Sequence, residues 1–161
     1  MQSTVYEISE HPIPANQQTS PSYLPDWFYD SICDYTEKMS AEERANSIKE
    51  LEACLGSQCS RSGNKLIFSP QFKQGYFKEN FKYFKAAAKA LADTEYDVFA
   101  GISPSAAFDM ALNGMAESYA DKRTFYVYCP ERKELSPLDN WLRNIDVSKP
   151  FYLGGTINYH Y

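Results

Sequence analysis

The chain has 161 residues, 43% of them apolar and 23% charged, with a formal net charge of −5. That size and balance suit one globular domain and exclude a fibrous or wholly disordered chain. No apolar run approaches the ~18 residues that cross a bilayer, and the opening Met1-Gln2-Ser3-Thr4-Val5-Tyr6-Glu7 lacks the basic and apolar regions of a secretory leader, so a soluble, cytoplasmic protein is expected.

Aromatic residues are over-supplied: 13 Tyr, 10 Phe and 2 Trp are more than one core of this size hides, so some rings face solvent or a partner. Charge is unevenly placed. Residues 26–55 carry eight acids and three bases, residues 65–90 six lysines and one acid, and residues 91–161 ten acids and six bases. Internal pairing can consume part of this asymmetry.

In chain order, Thr4 to Ser9 alternates in the manner of a strand. Residues 11–25, with Pro12, Pro14, Pro21 and Pro25, read as a connector poor in backbone donors. From Asp26 the spacing predicts an amphipathic helix, with Phe28, Ile32 and Tyr35 on one side and Asp26, Asp30, Asp34 and Glu37 in an acidic stripe on the other. Ser40-Ala-Glu-Glu43 has the form of a capping box. It opens a second helix whose apolar face is Ala41, Ala45, Ile48, Leu51 and Leu55 and whose end is marked by Gly56.

Residues 57–64 read as a polar loop and Lys65 to Phe68 as a buried strand. A helix over about 71–92 carries Phe77, Phe81, Phe84, Ala88 and Leu91 on a core face. Lys78, Lys82, Lys85 and Lys89 fall on a second face, and Tyr76 and Tyr83 on a third. Tyr96 to Ile102 is short and apolar enough to be strand or helix, and strand is preferred. Ser103-Pro104 has the form of a helix start, followed by Phe108, Ala111, Leu112, Met115 and Tyr119 on one face.

Thr124 to Tyr128 is a strand, residues 130–134 a charged turn, and residues 137–144 a short helix. Phe151 to Tyr161 is strand interrupted at Gly154-Gly155 by a bulge or turn. The fold class expected is α+β: one domain over residues 1–161, with a small mixed or antiparallel sheet packed with four to five helices.

No motif for a specific reaction emerges. Gly101-Ile-Ser103-Pro-Ser105 lacks the second Gly that a nucleophile elbow needs, and helix capping accounts for the serine. Histidine is scarce: His11 lies in the Pro-rich connector, and His160, between Tyr159 and Tyr161, reads as an edge-strand surface residue rather than a general base. Cys33, Cys54, Cys59 and Cys129 show no paired spacing, so reduced thiols and no zinc site are expected. Phosphate-binding Gly motifs are absent, so neither cofactor nor metal is expected.

Two binding readings remain. The acidic stripe can imitate phosphates toward a basic protein, with Tyr76 and Tyr83 adding contact area. Alternatively the lysine stripe follows a nucleic-acid backbone while a tyrosine stacks on a base. Tyr6, Tyr126 and Tyr128 are assigned to the core in preference to Tyr76, Tyr83, Tyr159 and Tyr161.

In being short, acidic, tyrosine-rich and free of an enzyme motif, the chain resembles small accessory and anti-defence proteins of bacterial mobile genetic elements. The likeness is one of composition and transfers no functional residue. It implies a non-catalytic inhibitor of a host defence nuclease, of the anti-CRISPR or anti-restriction type, acting by direct contact with a basic, nucleic-acid-handling protein.

Overall fold

The computed structural model describes all 161 residues. Its contacts gather into two compact units, one formed by residues 1–72 with 122–161 and the other by residues 73–121. The architecture is α+β with a mixed sheet, and the sheet lies wholly in the first unit. Its strands are β1 (Gln2–Ser9), β2 (Tyr35–Lys38), β3 (Cys59–Ser62), β4 (Lys65–Phe68), β5 (Tyr126–Cys129), β6 (Glu134–Pro137) and β7 (Phe151–His160). They run in the order β3-β4-β7-β1-β5-β6, with β2 also paired to β7. Only β1 and β5 are parallel neighbours; every other pair is antiparallel. The helices of this unit are α1 (Asp26–Ser31), α2 (Ala41–Leu55) and α7 (Leu138–Asn144).

The glycine pair in β7 decides which side chains meet which layer. Tyr6 pairs with Thr156 but Ile8 with Leu153, so Gly154 and Gly155 together stand against Glu7 in a β-bulge. One extra residue reverses the alternation. Phe151 and Leu153 therefore share a face with Ile8, while beyond the bulge Ile157 and Tyr159 share the opposite face with Val5 and Ser3. The first face meets helices: the Tyr6 hydroxyl donates to the Ser47 carbonyl of α2 at 2.7 Å, and Phe151 meets Trp141 of α7 with ring centroids 5.2 Å apart. On the second face Val5, Tyr128, Leu135, Ile157 and Tyr159 form a cluster with Leu24, Phe28 and Cys33.

Glu7 fastens the Pro-rich connector to that second face. Its side chain is only 3% exposed. The carboxylate accepts the Gly155 N–H at 2.6 Å, the Thr19 N–H at 2.9 Å and the Thr19 hydroxyl. The connector is thus built against the sheet, with short 3-10 turns at Ala15–Gln17 and Pro21–Tyr23.

Where local signals are strong, the expected elements form. Ser40 caps α2 in a full capping box: its hydroxyl accepts the Glu43 N–H while the Glu43 carboxylate accepts the Ser40 N–H. Gly56 follows at φ 74°. The apolar face of α2 is corrected in detail, since Ala41 and Ala45 are exposed and Ser47 is buried among Ile48, Leu51 and Leu55.

Four further expectations are corrected. The helix over 26–37 stops at Ser31, because the Asp34 N–H donates to the His160 carbonyl at 2.8 Å and Tyr35–Lys38 pairs with β7. The polar stretch after Gly56 contains β3, which a turn with Gly63 at φ 59° returns into β4. Strand β7 is interior rather than an edge, with β1 along one side and β4 and β2 along the other. Tyr159 is consequently core, 1% exposed, packed on Phe28 and donating its hydroxyl to the Thr124 carbonyl.

Residues 73–121 hold most of α3 (Phe72–Tyr76), together with α4 (Lys78–Ala92), α5 (Tyr96–Phe99) and α6 (Ala106–Tyr119). The expected single helix over 71–92 breaks at Phe77, whose φ −94° and ψ 0° leave the helical range. Tyr96–Phe99 is helix rather than strand, since Val98 and Phe99 donate backwards to Glu95 and no neighbouring strand is paired to it. Ser105 rather than Ser103 caps α6, its hydroxyl accepting the Phe108 N–H at 3.4 Å.

Candidate functional site

Residues 23–37 compose a polar and aromatic surface on the first unit. Helix α1 follows Pro25 and buries Phe28, which turns Asp26 and Asp30 outward one helical turn apart. Both carboxylates, and that of Asp34 in the bend that follows, are exposed and form no ion pair. Tyr23, Trp27 and Tyr35 are exposed large rings in the same stretch. Tyr29 ties its parts together, its hydroxyl lying 2.8 Å from the Pro21 carbonyl and 3.5 Å from the Thr36 hydroxyl. The surface is therefore supported from below by sheet and core.

Glu37, the fourth member of the expected stripe, sits on β2, with its carboxylate 3.5 Å from His160 Nε2. Its side chain nevertheless stays 58% exposed beside the imidazole. His160 is half-buried and stacks on Tyr35 with ring centroids 4.2 Å apart and planes 10° from parallel, which also steadies Tyr35. The aspartates thus come from a helix and a bend and Glu37 from a strand, not from one helical stripe.

The remaining expected contacts lie on the second unit. Tyr76 is half-buried against Phe77, centroids 4.8 Å apart, while Tyr83 is 69% exposed. Lys78, Lys82, Lys85 and Lys89 all stand exposed on α4 as the helical period demands. Two already face acids: Lys82 meets Glu79 at 2.7 Å and Lys89 meets Asp93 at 3.7 Å.

A cleft of about 650 Å³ opens beside α2 and the start of β1, lined by Thr4, Glu43, Ser47, Glu50, Arg123 and Asn158 among others. At its base the Ser47 hydroxyl lies 2.9 Å from the Tyr6 hydroxyl and 3.1 Å from that of Thr4. Burial pushes the Tyr6 phenol up to about 12, against the pull of the Ser47 and Thr4 hydrogen bonds, so it remains a donor. Glu43 is engaged in its cap, where the Ser40 N–H and hydroxyl hold the carboxyl below its ordinary value.

A second polar cluster follows the carboxyl ends of the parallel strands β1 and β5. The Glu131 carboxylate accepts from the Ser9 hydroxyl, from the Glu10 N–H at 3.0 Å and from the Cys129 thiol at 3.2 Å. Burial raises the Glu131 pKa, but these hydrogen bonds outweigh it and hold the carboxyl below the usual range. Burial also raises the thiols of Cys33, Cys59 and Cys129, Cys59 to about 11, which keeps them protonated and poor nucleophiles. None of the four cysteines is joined in a disulfide. Neither imidazole hydrogen-bonds a serine or cysteine side chain.

Sequence reasoning missed the Glu7 and Glu131 clusters, because their partners lie 12 to 148 and 2 to 122 residues away. No group of His, Cys, Asp and Glu in the fold is arranged to hold a metal ion, and no helix is long and apolar enough to cross a membrane. Comparison with protein-family models, curated proteins and solved structures finds no match.

Proposed function

We propose that this chain is a protein-binding module that contacts a basic partner through the surface of residues 23–37. The observation that carries the reading is the exposure of Asp26, Asp30 and Asp34, none in an ion pair, beside the exposed rings of Tyr23, Trp27 and Tyr35. Tyrosine and tryptophan contribute large contact area at low entropic cost, and flanking carboxylates steer a basic partner into register. The resemblance to anti-defence proteins makes a nucleic-acid-handling enzyme with a basic groove the class of partner sought. Direct nucleic-acid binding through α4 is the weaker reading, since two of its four lysines are already paired along their own helix.

The test is affinity capture from a bacterial lysate with and without nuclease, followed by measured binding of the recovered partner to Asp30→Lys plus Asp34→Lys. A stoichiometric protein that survives nuclease, and whose affinity falls at least ~10-fold in the double variant while its circular dichroism is unchanged, supports the proposal. Undiminished binding by the double variant removes this surface as the contact. Recovery of nucleic acid alone, released at moderate salt, transfers the function to the α4 lysines.

A further inference from the structure

The unit of residues 73–121 is short of core. No side chain of α4 is buried and only Ala111 of α6 is, although α6 is apolar around most of its circumference and charged only at Asp109 and Glu117. A helix of that composition belongs inside a bundle. Instead Phe81 is 61% exposed, Leu112 48% and Tyr119 64%. The expectation that Phe81 is core is thus corrected within the single chain.

These side chains lie on one side of the pair. Helices α4 and α6 pack together and run antiparallel, since Asn80 near the start of α4 donates to the Ser118 carbonyl near the end of α6 at 3.0 Å. Half-buried Asn80, Phe84, Ala87 and Leu91 mark the line of α4 that faces α6, while Ala111, Met115 and Ser118 mark the reciprocal line. At 100° per residue Phe81 lies about 90° round from the first line and Leu112 about 95° round from the second, in the same rotational sense. In an antiparallel pair that sense brings both to the same side. The four lysines edge this side along α4, and Asp109 edges it along α6.

Charge within the unit is largely segregated. Helix α4 holds four lysines and one glutamate, whereas residues 93–121 hold six acids and no lysine or arginine. We propose that this side is a two-fold interface with a second copy of the chain, the two pairs of helices closing a four-helix bundle. A two-fold contact needs a patch that is its own complement, with both signs of charge and an apolar centre. The charges also choose the axis. Rotation about a line parallel to the helices sets α4 of each copy over α6 of the other, bringing the lysine edge to Asp109. Rotation about the perpendicular line would set lysines over lysines.

The area suffices. The exposed parts of Phe81, Leu112 and Tyr119, with the remainder of Phe84, Phe108 and Met115, amount to roughly 500 Å² per copy, or roughly 1,000 Å² in total before the lysine stems are added, which is the threshold of a specific interface. None of these residues belongs to the 23–37 surface, so the proposal stands or falls separately from that one.

Sedimentation of the full chain across a micromolar dilution series tests it. A reversible dimer is expected, with Leu112→Glu raising its dissociation constant roughly 100-fold, because the axis counts each substitution twice. Asp109→Lys should weaken the dimer, and adding Lys85→Glu, at a lysine outside the pairs with Glu79 and Asp93, should restore it. Circular dichroism checks folding, and Phe81→Gln serves as the second variant should Leu112→Glu fail to fold. A chain that stays monomeric throughout, including one whose helical face is occupied by a different protein, overturns the proposal. So does a dimer that both variants leave unchanged, or one that the charge reversal fails to restore.

Discussion

Replacing Gly154 by alanine should destabilise the sheet unit by about 3 kcal/mol. A Cβ at this position would collide with the Glu7 carboxylate, standing 2.8 Å from its Cδ, and would lie 2.6 Å from Ile13 Cδ1. A flexible side chain would swing aside, but Glu7 is enclosed and held by the Gly155 and Thr19 donors. Movement of the carboxylate weakens hydrogen bonds worth about 1.5–3 kcal/mol each to a charged group, while immobility leaves an overpacked site costing about 1–3 kcal/mol. For a chain of this size about 3 kcal/mol lowers the melting temperature by roughly 6–12 °C. Urea denaturation followed by circular dichroism reads the change directly. In a Glu7→Ala background much of the penalty should disappear, because the principal obstacle is gone. A loss below about 1 kcal/mol, or one equally large in both backgrounds, would refute the account of the bulge.

Alkaline pH should weaken the sheet unit through its buried phenols. Burial raises both Tyr6 and Tyr159 to about 12 from an ordinary 10.0, so the folded chain retains protons that the unfolded chain releases; the stability is present below pH 10 and lost as pH climbs toward 12. Tyr6→Phe should flatten the alkaline limb of a stability-against-pH curve, and an unaltered limb would count against it. Ser40→Ala should cost α2 about 1 kcal/mol as its N-terminal hydroxyl acceptor is lost. Glu43 has a lowered carboxyl pKa in the folded chain, so its part of the box is present above the unfolded value and fades as pH falls through the folded one. The gap between wild type and Ser40→Ala, measured by urea denaturation, should therefore narrow in acid.

The elements readable from sequence are those whose instructions lie within a few residues. Ser40, Glu43 and Gly56 bound α2 without reference to the rest of the chain, and Gly154-Gly155 announces an irregular strand. The outward charges of Asp26, Asp30 and the four lysines were legible for the same reason, since carboxylates and ammonium groups stay in water unless paired. Tertiary structure decided the rest. Asp34 leaves the helical pattern because a carbonyl of His160 and an open length of β7 lie beside it, so the acidic surface comes from a helix, a bend and a strand. Tyr159 is core because β7 gained neighbours on both sides and the bulge set its parity, neither of which its local sequence expresses. Phe81 obeys the helical period yet remains exposed, because a periodic stripe specifies a direction but not a neighbour to cover it. Local hydrogen bonds and side-chain periods are written in adjacent residues, whereas burial and pairing depend on segments that meet only when the chain has folded.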